Sequence, residues 1–250
     1  MLTNKTFKIV LLAAALACGA ARASEGGVEL LHAGNDVSNV ASLQRGARNF
    51  VNYCMGCHSA KFVRYNRLAA DLGLTEQQVR DNLMFTGERI SDVMQSAMSA
   101  ADGERWFGVA PPDLSLIARS KSPDYIFTFL KSFHLYPKRP TGSNYLVLEG
   151  AAMPNVLAGL QGLQKTVYEG ESDKDGHVQK RFKGFESVGK GSMTPEQFDE
   201  FTRDTVNFLE YIAEPVQMKR RNLGVSVTLF LLVFWGLAYF LKKEYWKDVK

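Results

Sequence analysis

The chain has 250 residues, with 30 basic and 26 acidic side chains, so the whole sequence is mildly basic. The balance is uneven: Ser24 to Met218 holds 24 acidic against 20 basic residues, a net charge of −4. An acidic body excludes nucleic acid as the default partner and suits a basic soluble protein, although a charge of this size also serves solubility alone.

The first element is an export signal. Lys5 and Lys8 precede the apolar run "IVLLAAALAC", and "ARA" ends at Ala23, so residues 1–23 read as a signal peptide. Acylation of Cys18 is disfavoured, because Ala15, Leu16 and Ala17 do not put the leucine three residues upstream. Removal of the signal leaves a mature chain beginning near Ser24. Of the three cysteines, only Cys54 and Cys57 then remain.

Next comes "SLQRGARNFVNYC", with Ser42 as a helix cap and Leu43, Ala47, Phe50 and Val51 on one face. This helix delivers the segment Cys54-Met55-Gly56-Cys57-His58, a C-x-x-C-H motif. Three chemistries compete for it. A structural zinc site needs a second ligand pair, and His32, His134 and His177 are scattered singly. A thioredoxin-like disulfide needs a βαβ context, and no strand-rich pattern is visible. In an exported chain the motif is the attachment signature of a c-type haem, with two thiols for the two porphyrin vinyl groups and the adjacent histidine for the iron. Compartment, cysteine count and spacing agree on the haem.

The remaining body is helical in its periodicity, and a little under two hundred residues suit one domain. "TEQQVRDNLMF" opens with a capping box, Thr75 with Gln78. "SDVMQSAMSA" places Met94 and Met98 four apart, the spacing of one helix face. "SPDYIFTFLKSF" has Ser122 at the cap and Pro123 at the first helical position. "TPEQFDEFTRDTVNFLEYIAEP" repeats that start with Thr194, Pro195 and Gln197, carries Phe198, Phe201, Thr205, Phe208, Leu209 and Ile212 at helical spacing, and ends at Pro215. Tyr136 to Ala152 and Val167 to Ser192 read as long irregular stretches. No catalytic triad, phosphate loop or carboxylate pair has a convincing context, so acid-base or nucleophilic catalysis by this chain alone is not expected.

From Asn222 to Leu241 runs "NLGVSVTLFLLVFWGLAYFL", free of charge and long enough to cross a bilayer. Basic residues flank it on both sides, so the export signal decides the orientation. The expected organisation is a signal peptide at 1–23, a periplasmic haem domain at 24–218, a transmembrane anchor at 219–241 and a cytoplasmic tail at 242–250.

Six methionines follow the motif and compete for the sixth position on the iron. Met84, Met94 and Met98 read as helix-face residues, Met218 adjoins the anchor, and Met193 precedes Thr194 as a hydrophobic staple on Phe198. Met153 lies in the loop "LEGAAMPNVL", where Pro154 keeps it out of helical geometry. That favours Met153 over Met193 by a small margin, since a thioether is also ordinary core filling.

Five segments, "RGARNFVNYCMGCHS", "APPDLSLIARSKSPDYIFTFL", "YPKRPTGSNYLVLEGAAMPNVL", "MTPEQFDEFTRDTVNFLEYIAEP" and the anchor after "KRRNLG", make the chain resemble cytochrome c1 of the bacterial cytochrome bc1 complex over nearly its whole mature length. The resemblance implies a mainly α, c-type cytochrome fold with long loop insertions and one C-terminal transmembrane helix. It implies one haem c, covalent through Cys54 and Cys57 and ligated by His58 and Met153. The family's arginine near a haem propionate falls on Arg119, and its proline pair beside the haem edge on Pro111 and Pro112. Some relatives have an extra disulfide, for which this chain has no cysteines.

The implied function is relay of single electrons from the Rieske iron-sulfur protein to a soluble or tethered cytochrome c. The implied partners are cytochrome b and the Rieske subunit, in a dimeric complex of the bacterial inner membrane. The acidic "YEGESDKDG" (Glu169, Glu171, Asp173, Asp175) is a candidate docking patch for a basic cytochrome c, although the favoured reading of it is a solvated loop. The rival readings are an anchored cytochrome serving a terminal oxidase and a haem sensor or peroxidase with an open sixth position.

Overall fold

In the computed structural model, residues 29–172 and 178–248 are described. The signal peptide with Cys18, and Asp173, Asp175 and His177, lie outside the described residues. About half of the described residues are helical, in keeping with the mainly α expectation.

Two helices, α1 (Val40–Tyr53) and a long helix near the end of the body, Pro195–Ala213, form the centre of the core. The start of α1 differs from expectation. Asn39, not Ser42, is its cap, accepting a hydrogen bond from the Ser42 N–H at 3.1 Å. Ser42 is instead buried one turn inside, where its hydroxyl donates to Asp204 at 2.6 Å. A tertiary partner for the hydroxyl thus displaces the local capping role.

The two helices approach closely at Gly46. A Cβ there would stand 2.1 Å from the Asp204 carbonyl oxygen, so only glycine permits this packing. Around the contact, Phe50 and Phe208, both fully buried, meet with ring centroids 5.6 Å apart. Each such side chain contributes about 1.5–3 kcal/mol by leaving water. The buried Asp204 carboxylate also accepts from Arg45 at 2.5 and 2.9 Å, which secures one helix to the other.

After the C-x-x-C-H segment comes a short antiparallel pair, β1 (Ala60–Arg64) with β2 (Val93–Met94). Between them lie α2 (Tyr65–Leu72) and α3 (Glu76–Asn82), the latter opened by the expected Thr75–Gln78 capping box. The helical reading of Met94 and Met98 is corrected here: Met94 is a fully buried strand residue, and Met98 follows in a bend. Met84, too, lies beyond the end of α3.

Three further helices follow, α4 (Ala100–Phe107), α5 (Ile117–Lys121) and α6 (Pro123–Lys131). Ser122 caps α6 and Pro123 opens it, as expected. The small pair β3 (His134–Leu135) and β4 (Ser143–Asn144) precedes the loop that carries Met153. His134 is buried, its Nδ1 donating to the Ser132 carbonyl, and His32 pairs with Asp124 on the surface.

After α7 (Ala158–Gln161), the stretch expected to be irregular from Val167 to Ser192 forms most of a two-stranded ribbon, β5 (Gly162–Ser172) with β6 (Val178–Lys190). Two register shifts, between Leu163 and Gln164 and between Val167 and Tyr168, break the alternation that would mark strands in the sequence. Glu169, from the acidic stretch, forms an ion pair with Lys183 across the ribbon.

The helix Pro195–Ala213, now α8, starts with the expected capping box of Thr194 and Gln197. A second long helix, α9 (Gln217–Tyr245), contains the whole apolar run, and none of its most apolar window is buried. At 1.5 Å per residue it is roughly 43 Å long, enough for a ~30 Å hydrocarbon layer.

Candidate haem site

The end of α1 is wound into a tight turn. Cys54 N–H donates to the Phe50 carbonyl at 2.9 Å, and the N–H groups of Cys57 and His58 return to the Cys54 carbonyl at 3.1 and 2.8 Å. Two thiols and an imidazole are thereby gathered at one helix terminus. Ser96, just after β2, supports the turn by donating to the Gly56 carbonyl at 2.9 Å.

A second segment, "PPDLS", is zipped onto the residues after the motif. Leu114 N–H donates to the Ser59 carbonyl at 2.8 Å, Lys61 N–H to Asp113 at 2.9 Å, and Phe62 N–H to the Ser115 hydroxyl at 3.1 Å. This alignment puts the Pro112 carbonyl 2.8 Å from Nδ1 of His58. A carbonyl can only accept, so Nδ1 carries the proton and Nε2 keeps a free lone pair. That is the tautomer a metal-binding histidine needs, with its ring orientation held by a backbone partner. Pro111, in turn, packs over buried Gly103, whose added Cβ would stand 2.5 Å from the proline ring.

Burial governs protonation here. It pushes the Cys54 thiol up to about 12, with the neighbouring Cys57 adding to the rise, and it raises Cys57 as well. Burial also lowers His58, against the opposing effects of the Pro112 carbonyl and Asp113, which favours the neutral imidazole.

These groups line a cavity of about 390 Å³. Its lining includes Tyr53, Cys54, Cys57 and His58, and also Phe107, Val109, Pro111, Pro112, Leu114 and Ile117. Tyr125, Ile126, Phe129 and Leu130 of α6, with Thr205 and Leu209 of α8, line it too. The loop Leu148–Val156 completes the lining and brings Met153 to it.

Met193 is packed against the core and is absent from the cavity wall. Arg119 is exposed and outside the lining too; its charge acts on Glu214, while Ile117 and Lys121, one turn apart on α5, are the residues that line the cavity. Tyr145, which the sequence did not single out, is buried behind the Met153 loop and donates its hydroxyl to the Met153 carbonyl. Its only sequence signal is an aromatic eight residues before the methionine.

The donor set, two thiols, an imidazole with a free Nε2 and a thioether on one largely hydrocarbon cavity, fits a covalently held haem. The mainly α fold and this cavity are those of a c-type cytochrome. Comparison with known proteins names the family. The family model described as "Cytochrome C1 family" matches residues 35–175 and 186–249. Cytochrome c1 of Allochromatium vinosum is 47% identical over 234 residues, covering 94% of this chain and 95% of that protein. The ammonia monooxygenase gamma subunit of Nitrosomonas europaea is 42% identical over 245 residues, covering 98% and 99%. Cytochrome b/c1 of Bradyrhizobium diazoefficiens is 30% identical over 246 residues, covering 83% of this chain and 33% of that longer protein.

The chain therefore belongs to the cytochrome c1 family. Membership makes it a haem c protein that relays electrons in the respiratory chain, as the electron-transfer component of a bc1-type complex. Enzymatic activity is a property of that complex.

Proposed function

We propose that this chain passes single electrons from a Rieske iron-sulfur protein to a soluble or tethered cytochrome c, with cytochrome b and the Rieske subunit as its fixed partners in a dimeric bc1 complex. The observation that carries the proposal is an apolar cavity lined by Cys54, Cys57, His58 and Met153 together, with the His58 tautomer set by Pro112. The name of the Bradyrhizobium relative, cytochrome b/c1, supports the pairing with cytochrome b.

When bound, a haem c supplies a one-electron ferric/ferrous couple whose potential rises with His/Met ligation and burial. Cys54 and Cys57 supply the covalent tethers, His58 presents Nε2, and Met153 offers its thioether from the Leu148–Val156 wall. The aliphatic and aromatic lining excludes water, which favours the less charged reduced state. Pro111 and Pro112 border the site, and Arg119 enters as a propionate partner by family resemblance, from the short helix that supplies Ile117 and Lys121 to the wall.

The organisation that fits this role is a signal peptide at 1–23, a periplasmic haem domain at 24–218, an anchor at 219–241 and a cytoplasmic tail at 242–250. The apolar surface of α9 supports a membrane span; export by the signal sets its direction.

Met153 is tested by substitution. Met153→Lys should abolish the near-infrared sulfur-to-iron band, lower the midpoint potential and cut quinol-dependent cytochrome c reduction, with haem content near normal. Met193→Leu should keep all three properties. The reverse pattern transfers the ligand role to Met193.

A further inference from the structure

The loop carrying Met153 has no regular structure of its own, yet three side chains from the preceding segment hold it. Arg139 Nη2 donates to the Gly150 carbonyl at 2.6 Å. Gly150 N–H donates to Asn144 Oδ1 at 2.9 Å, with Gly150 at φ +86°, a conformation that suits glycine. Tyr145 donates its hydroxyl to the carbonyl oxygen of Met153 itself. The Tyr145 ring is clamped: it stacks on Phe129 at 4.6 Å and 3°, and meets Phe133 edge-on at 4.5 Å. The residue as a whole is only 2% exposed.

We propose that Tyr145 is the positioning residue for Met153, its hydroxyl fixing the Met153 carbonyl and so the direction from which the thioether faces the cavity. The proposal rests on Met153 being the iron ligand. A methionine side chain has three rotatable bonds and a weakly held neutral sulfur, so its own rotamers cannot define the ligand position. Pro154 restricts the Met153 backbone from one side. Tyr145 restricts it from the other, and its stacking partner Phe129 lines the same cavity.

The test uses full-length, haem-loaded protein in its native membrane complex. Tyr145→Phe should weaken the near-infrared sulfur-to-iron band, shift the ferrous/ferric equilibrium about tenfold toward ferric, equivalent to about 59 mV for one electron, and allow carbon monoxide to bind a fraction of the reduced protein. Replacement of Tyr145 by 4-aminophenylalanine, which keeps a donor of similar reach, should restore all three. Tyr211→Phe removes another buried phenol, one that donates to Asp71 at 2.8 Å away from the cavity, and should move none of them. Wild-type band, midpoint and carbon monoxide response in Tyr145→Phe would overturn the proposal while Met153→Lys still loses its band. Retention of the band in Met153→Lys would overturn the ligand reading and this proposal with it. If Tyr145→Phe does not accumulate, 4-fluorophenylalanine in place of Tyr145 fills nearly the same space without a donor, and a wild-type band and midpoint there also overturn the proposal.

Discussion

Gly46→Ala sets local preference against tertiary packing, and the two predict opposite signs. In an isolated helix, alanine in place of glycine gains about 1 kcal/mol, and burying one methyl adds roughly 0.8 kcal/mol. In the folded chain the new Cβ would stand 2.1 Å from the Asp204 carbonyl oxygen, 2.7 Å from Phe208 Cβ and 2.8 Å from the Asp204 carbonyl carbon. Two of these three atoms are backbone and cannot rotate away. The helices α1 and α8 must therefore separate by about 1 Å, since carbon–oxygen contacts need a separation above 3 Å.

That movement strains the Ser42 and Arg45 bonds to Asp204, at 2.5–2.9 Å, each worth about 1 kcal/mol. Overpacking itself costs about 1–3 kcal/mol, and here it acts at its upper end, against backbone atoms. The balance is a net loss of about 2–3 kcal/mol. At roughly 2–4 °C per kcal/mol for a chain of this size, Tm should fall by about 5–10 °C. The measurement is thermal unfolding of the detergent-solubilised protein by far-ultraviolet circular dichroism. An unchanged or higher Tm would refute the claim that the α1–α8 contact requires glycine.

Two further expectations concern attachment and location. Cys57→Ser should lose most haem-dependent peroxidase staining on a denaturing gel, whereas the unaltered protein retains it; haem released from the unaltered protein by acid acetone would contradict covalent attachment. A chain ending at Met218 and exported by its own signal should be soluble with normal reduced c-type bands, because every donor on the cavity precedes that residue. Maturation only in the presence of α9 would show that the anchor helps to build the haem domain.

Several elements were legible in the residues because their physics is local. The C-x-x-C-H spacing is closed by hydrogen bonds within five residues. The capping boxes at Thr75 and Thr194 and the Ser122–Pro123 start need only neighbours in sequence, and each is present. The apolar run Asn222–Leu241 is helical because its own composition and length suffice. Other outcomes depended on partners far along the chain. Met94 and Met98 have helical spacing, but Val93–Met94 pairs with Ala60–Arg64, and the strand bonds decide its conformation. Ser42 carries a capping residue's chemistry, yet Asp204, 162 residues away, takes its hydroxyl. The ribbon Gly162–Lys190 was hidden by its two register shifts. Ile117 and Lys121, not Arg119, line the cavity because one helical turn separates the first two and α5 turns that face inward. The His58 tautomer and the Tyr145 clamp on Met153 likewise exist only once Pro112 and Met153 present backbone carbonyls, acceptors that every residue carries and that folding alone can aim.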